Sequence, residues 1–340
     1  MSMKKITLRQ IAEDLNLSIS TVSRALSDNY QISAETKKRV VNYAAEKHFT
    51  VNRFAKGLKE GRTNTIGVVI CSIDNAFITQ LLNGIHDYCN TVGYQFMMMQ
   101  SRGCFKTEQN CVRQLADYGI DGLLISPSFN STDLSYLSVL QNQGMPIVLF
   151  DRISEQLKTH QVAVDNFNGA YAAGNEMLER GLKSVLIIGC KQDVLLSSQR
   201  VNGFLVAMQS DLSHHCIVEE CDASDPKLLE EYLRTIFLAN LVLEKKVDAI
   251  FTTTDSFTTA AVKVLHRLGI KIPLVGFCNS DLAEVLPGSP TIIRQPAYQM
   301  GELASKQLMA LIKRGGKDDF ETIYLPTILI ADDVEVQEAV

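Results

Sequence analysis

The chain has 340 residues, 46% of them apolar and 21% charged, enough apolar material for more than one buried core, which excludes a disordered or fibrous protein. Its 33 basic and 38 acidic residues give a net charge of −5, yet residues 1–62 hold 12 Lys or Arg against 6 Asp or Glu, so a head of +6 precedes a body of −11. The amino terminus alternates apolar and charged residues rather than building a secretory signal, and no apolar run reaches bilayer length. Eight scattered cysteines lack a Cys-x-x-Cys pair and six histidines lack ligand spacing, so a cytoplasmic chain with reduced core thiols and no metal or cofactor is expected.

Three short helices are expected within residues 1–50. Thr7 is placed to cap the first, with Leu8, Ile11, Ala12 and Leu15 at helical spacing and Gln10 completing a capping box. Ser18 is placed to cap the second, with Val22 and Leu26 inward, and Ser33 the third, with Thr36, Val40, Val41 and Ala44 inward. Asn16 and Leu17 alone separate the first helix from the second cap, the spacing of a helix-turn-helix. From Ile66 onward, short β-branched runs alternate with amphipathic helical stretches, the runs falling at 66–71, 94–99, 122–126, 147–150, 185–188, 217–221, 249–253 and 274–277. This alternation predicts right-handed βαβ units, and eight runs fit two parallel sheets better than one. Two facing sheets leave a ligand cleft beyond the carboxyl ends of their strands.

A helix beginning after Ser18 presents Ile19, Ser20, Thr21 and Arg24 near its amino-terminal half, where a major-groove recognition helix carries its base-reading groups. Arg24 has the fork to meet guanine O6 and N7. The hydroxyls of Ser20, Thr21 and Ser23, with the free amides of the helix start, suit phosphates or base edges. The plainer alternative is that these are ordinary capping and surface residues.

The runs Thr21-Val-Ser-Arg-Ala-Leu26, Ile32-Ser-x-x-Thr-x-x-Arg-Val40 and Asn52-x-x-Ala55-x-x-Leu58 make residues 7–62 resemble the DNA-binding head and hinge of the lac-repressor (LacI/GalR) family of bacterial transcription regulators. The likeness continues through Thr65-Ile-Gly-Val-Val69, Gly84-Ile85, Asp151-Arg152, Asp165-Asn166-x-x-Gly169-Ala170, Arg200-x-x-Gly203-Phe204, Thr254-Asp255, Val275-Gly-Phe277 and Arg294-Gln-Pro296. The resemblance implies a small all-α helix-turn-helix head on an α/β two-lobed periplasmic-binding-protein-like core with parallel sheets. The divisions it implies are a head at 1–50, a hinge at 51–63 and a core at 64–340. Within that core, one lobe spans about 64–163 plus 291–322 and the other about 164–290 plus 323–340.

It also implies a repressor that acts as a homodimer on a pseudo-palindromic double-stranded DNA operator, controlled by a small-molecule effector, commonly a sugar or nucleobase and here expected to be a sugar or sugar derivative, with no membrane partner. DNA-binding positions carried over are Thr7, Ser18, Ile19, Ser20, Thr21, Ser23 and Arg24 in the head and Asn52, Arg53, Ala55, Lys56 and Leu58 in the hinge. Leu58 matches the leucine that wedges between base steps in the minor groove. Val51 stands where proline is usual, and Gly57 lowers the helix propensity of the hinge.

Effector-binding positions implied are Phe77, Asp165, Arg200, Thr254, Asp255 and Asn279. Arg200 matches the pocket arginine of the family, Asp255 offers a carboxylate to sugar hydroxyls, and Phe77 offers a ring to an apolar sugar face. Asp255 serves equally as a cap for the next helix, Phe77 as core, and Asp165 as a structural residue where the lobes meet. Thr254 stands where Asn is frequent and Cys278-Asn279 where paired Asp is frequent, and the approach to Val275-Gly-Phe277 is shortened. A sugar-binding transport receptor on the same core is the alternative function. No Gly-x-Ser-x-Gly, His-Glu-x-x-His or phosphate-cradling glycine loop occurs, so no enzyme is expected.

Overall fold

The computed structural model describes residues 6–49, 62–128, 133–191, 194–209, 213–222, 225–243, 247–281, 290–315, 319–331 and 334–338. The chain forms two compact units, residues 1–63 and 64–340.

The first unit is built from α1 (Leu8–Leu15), α2 (Ile19–Leu26) and α3 (Ala34–Glu46). Each starts where the sequence places a hydroxyl cap: Thr7, Ser18 and Ser33 accept the main-chain N–H of Gln10, Thr21 and Thr36 at 3.2, 3.1 and 3.3 Å. Gln10 directs its side chain at the Thr7 hydroxyl, 3.4 Å away. Ile11, Ala12, Leu15, Val22, Ala25, Val40 and Ala44 form the core of this unit. Val41, expected inward, is 48% exposed, because the turn that buries Val40 and Ala44 sets position 41 on the solvent side. The unit turns its corners without glycine, Asn16, Asp28 and His48 taking left-handed φ of 55°, 53° and 49°. Tyr43 donates to Asp14 at 2.6 Å and Arg39 to the carbonyl of Leu15, tying α3 to α1.

The second unit holds two sheets. In the first, β1 (Thr65–Ile70), β2 (Gln95–Gln100), β3 (Gly122–Ile125), β4 (Ile147–Phe150), β5 (Gln161–Val164) and β11 (Thr322–Leu325) run in the order β11-β5-β4-β3-β1-β2, all parallel. In the second, β6 (Ser184–Cys190), β7 (His215–Cys221), β8 (Ala249–Thr252), β9 (Leu274–Phe277) and β10 (Thr291–Arg294) are parallel. Beyond β10, β12 (Ile328–Ala331) and β13 (Val334–Glu338) add antiparallel strands at one edge, which the sequence pattern did not foretell. β3, β4, β5, β8 and β9 are buried at every position, as strands covered on both faces must be. The shortened approach to Val275 leaves β9 intact and paired on both sides.

Strand membership shifts the lobe limits. β10 lies in the second sheet although 291–322 was assigned to the first lobe, and β11 lies in the first sheet although 323–340 was assigned to the second. The chain therefore passes between sheets at 165, at 295–296 and at 326–327. The physical reason is hydrogen-bonding partnership: β10 pairs with β9 and β11 with β5, which no local pattern encodes.

Helices α4 (Ala76–Thr91), α5 (Phe105–Asp117) and α6 (Ser135–Asn142) belong to the first sheet's layers. Helices α7 (Asn166–Glu179), α8 (Val194–Met208), α9 (Pro226–Phe237) and α10 (Asp255–Leu268) belong to the second's. Helix α11 (Ala297–Arg314) returns to pack on the first sheet. Glycines set two of the tightest helix contacts: a Cβ on Gly84 would stand 2.1 Å from the Tyr298 carbonyl oxygen and one on Gly301 2.1 Å from that of Leu81, so α4 and α11 meet backbone to backbone. Gly203 brings α8 equally close to Phe167 of α7, with 2.2 Å to its carbonyl oxygen. Five cysteines are buried, Cys71 and Cys216 half-buried, and Cys104 is exposed at the start of α5 rather than in the core; all eight are free thiols.

Candidate functional site

In the first unit, α2 carries its apolar residues Val22 and Ala25 inward and leaves Ser18, Ile19, Ser20 and Arg24 exposed, with Thr21 and Ser23 half-buried. Ser18 Oγ lies 2.8 Å from both Ser20 Oγ and Thr21 Oγ1, a hydroxyl cluster at the positive end of the helix. Thr7 caps α1 at an exposed position. This is an arrangement able to meet phosphates at a helix start and base edges along one face. Asn52, Arg53, Ala55, Lys56 and Leu58 lie outside the described residues.

In the second unit, the carboxyl ends of β3, β4, β8 and β9 gather polar groups. Arg200 is 5% exposed; its Nε donates to Asn166 Oδ1 at 2.8 Å, its Nη1 to the Thr253 carbonyl at 2.6 Å, and its guanidinium lies 3.9 Å from the centroid of Phe277. Asp255, at the first position of α10, is not the cap. Thr254 holds that role, its hydroxyl accepting the Phe257 N–H at 3.3 Å. The Asp255 carboxylate instead accepts the Asn279 N–H at 3.1 Å and the Cys278 thiol at 3.4 Å. Burial raises its pKa above the ordinary carboxylate value, against the opposing pull of the Asn279 N–H, the Cys278 thiol and the Arg200 charge. Burial likewise pushes the Cys278 thiol up to about 12, so it stays protonated as a donor.

Asn279 is fully buried and bonded to Gln80, Gln295 and Asp255. On the first lobe's side, Asp151 adopts a left-handed φ of 61° at the end of β4 and accepts from Ser126 Oγ at 3.3 Å, while Arg152 donates to the Pro127 carbonyl at 3.3 Å.

Two further expected positions are engaged within the fold. Phe77, near the start of α4 just past β1, is 6% exposed and packs in the core of the first lobe. Asp165 caps α7, accepting from Asn168 N and Nδ2 at 3.1 and 2.7 Å. Its own N–H donates to the Leu325 carbonyl at 2.9 Å, joining two of the passages between sheets. The sequence reading missed Gln80, Thr253 and Gln295 as partners. Asn166, Phe277 and Gln295 stand inside recognisable motifs, whereas Gln80, a lone Gln on a helix, carries no signal.

A groove of about 470 Å³ lined by Glu155, Lys158, Gln161, Asp319 and Phe320 sits at the amino ends of β5 and β11, the wrong end of a parallel sheet for a ligand, and is not the cleft. Among the described residues no group of three or more His, Cys, Asp or Glu is placed to hold a metal, and no helix is long and apolar enough to cross a membrane.

Known proteins share both units. The family described as bacterial regulatory proteins, lacI family, matches residues 7–52, and the periplasmic binding protein domain matches residues 66–318. The chain belongs to the LacI family of bacterial regulatory proteins. It is 26% identical to the HTH-type transcriptional regulator RegA of Clostridium saccharobutylicum over 92% of this chain and 94% of that protein. It is also 26% identical to the ribose operon repressor of Halalkalibacterium halodurans over 95% of each. A lac repressor dimer bound to operator and an anti-inducer shares the fold at a TM-score of 0.81 and 18% identity, covering 99% of both chains, and a CelR–cellobiose complex at 0.67 and 22%, covering 96% of this chain and 98% of that one. As a LacI-family member the chain is a DNA-binding transcriptional regulator, with a helix-turn-helix head and an effector-binding core.

Proposed function

We propose that this LacI-family chain is a repressor that binds a pseudo-palindromic operator as a homodimer and is controlled by a sugar or sugar derivative held between its lobes, without catalytic turnover. One observation carries the reading: α2 leaves Ser18, Ser20 and Arg24 exposed on a head of net charge +6. A basic head attracts phosphates without regard to sequence, and a guanidinium forked onto guanine supplies discrimination. Thr7, Ile19, Thr21 and Ser23 are assigned to the same duplex surface. Asn52, Arg53, Ala55, Lys56 and Leu58 are assigned to the minor groove by their motif alone.

The effector class is supported by buried groups suited to hydroxyls, Arg200 and Asp255, with Asn279 holding Asp255 in place, and by a relative named for ribose and a structural neighbour in complex with cellobiose. Operator work places the protein in the cytoplasm. The experiment is selection of bound fragments from genomic DNA at low salt, followed by anisotropy titration with and without D-ribose, cellobiose and fructose 1-phosphate. Specific binding that steepens as salt falls, and shifts with one of these, is the expected result. Binding no tighter than to random DNA would overturn the reading.

A further inference from the structure

Asn279 follows β9 in the second lobe, yet its bonds reach three other parts of the core. Its Nδ2 donates both hydrogens, one to Gln80 Oε1 at 2.7 Å and one to the Gln295 carbonyl at 2.7 Å. Its Oδ1 accepts the Gln295 N–H at 3.1 Å. Its main-chain carbonyl accepts from Gln80 Nε2 at 3.1 Å, and its main-chain N–H donates to Asp255 Oδ2 at 3.1 Å. Gln80 belongs to α4 of the first lobe, Gln295 to the passage between lobes, and Asp255 to the start of α10 in the second lobe.

The chemistry explains why an amide stands here. Both hydrogens of Nδ2 meet carbonyl-type acceptors, so a carboxylate at 279 would turn two donations into contacts between oxygens inside a fully buried site. Gln80 answers in kind, using one amide to give and to accept across the lobe boundary. Separation of the lobes at this point has to break both of these bonds together. One residue then joins the boundary to the cleft: the N–H that holds Asp255 belongs to the residue whose carbonyl and side chain hold Gln80.

We propose that Gln80 and Asn279 form an inter-lobe latch that fixes this lobe arrangement and aims the Asp255 carboxylate, making Gln80 a positioning residue for the effector site. The aiming of Asp255 as an effector contact rests on the cleft reading above; the latch itself does not.

Amide hydrogen exchange of the full-length protein, read by mass spectrometry with no ligand present, tests it. Asn279 and Gln295 lie outside every helix and strand, and their main-chain N–H groups are held by side chains, Asp255 Oδ2 and Asn279 Oδ1, so a latch that fixes the Asn279 side chain and main chain is read through their exchange. Gln80→Ala, at a half-buried helical position that alanine favours, keeps the fold. It is expected to speed exchange at Asn279 and Gln295 about tenfold while β1 and β8 keep their wild-type protection. Unchanged exchange at 279 and 295 overturns the latch, and so does a rise spread evenly through the first lobe, which marks Gln80 as an ordinary packing residue. A parallel thermal-shift titration with D-ribose, cellobiose and fructose 1-phosphate separates the two readings. A compound bound about tenfold more weakly by Gln80→Ala supports the aiming of Asp255, and equal affinity removes it. If none of the three stabilises either protein, the effector reading falls for these compounds and the exchange result still decides the latch.

Discussion

In the head, Ser18, Ser20 and Arg24 stand in solvent, whereas in the core Arg200, Thr253, Asp255 and Asn279 are each 9% exposed or less and hold one another. The two regions also use backbone differently. The head has no glycine among residues 1–56 and turns on Asn16, Asp28 and His48, while the core uses glycine both at left-handed turns such as Gly93, Gly269 and Gly315 and, at Gly84, Gly203 and Gly301, for close approach between helices. The contrast follows from what each region must meet. A duplex is a large partner that brings its own charges to an exposed face, whereas a small molecule has to be enclosed by groups already oriented before it arrives.

The strongest way to break this comparison is to attack the close helix pair in the core, which has no counterpart in the head. Gly301→Val puts carbon into the space of the Leu81 carbonyl and is expected to cost about 3 kcal/mol or more, lowering the core's melting temperature by roughly 10 °C in calorimetry. Arg200→Ala comes next, at about 2 to 3 kcal/mol, because it strands the Asn166 and Thr253 oxygens that it now satisfies; urea unfolding measures it, and effector response is lost with it. Arg24→Ala leaves stability alone and costs about 2 kcal/mol in operator binding and little on random DNA, by anisotropy; equal losses on both would remove base reading.

Asp255 sharpens the contrast through pH. Its folded pKa lies above the unfolded value, so its contribution favours the fold most below the ordinary carboxylate range and declines as pH rises through the raised value. Asp255→Asn should flatten that part of the stability profile, seen in melting curves across acidic to neutral pH. The smallest effect is in the head. His48 holds a left-handed φ of 49° just past α3, where its N–H and that of Phe49 close the helix on Ala45 and Ala44 at 3.1 and 2.8 Å. His48→Gly should stabilise the head by about 0.5 kcal/mol, measured by denaturant titration of the intact protein.

The head was readable because its signals are local. Three hydroxyl caps, a helical apolar period and the exposed face of α2 all fall within a few residues of one another, and the structure places the caps at Thr7, Ser18 and Ser33. Val41 escaped because a period of 3.6 leaves adjacent positions ambiguous at the edge of an apolar stripe. The eight strand runs were readable from their apolar, β-branched composition. β5, β10 and β11 were not, each opening on a polar residue, Gln161, Thr291 or Thr322, and defined by distant partners. The cleft shows the same limit more sharply. Arg200 and Asp255 sit in recognisable motifs, but Gln80 acquires its meaning only when folding brings it to Asn279, 199 residues away.

Three separate chain segments run between the two sheets, and the N–H of Asp165 is bonded to the carbonyl of Leu325, so the first segment is stitched to the third. A single tether would let the lobes swivel freely. Parallel tethers forbid twisting without stretching one of them and leave bending about a shared axis as the soft motion, so rearrangement of the core is channelled into one degree of freedom.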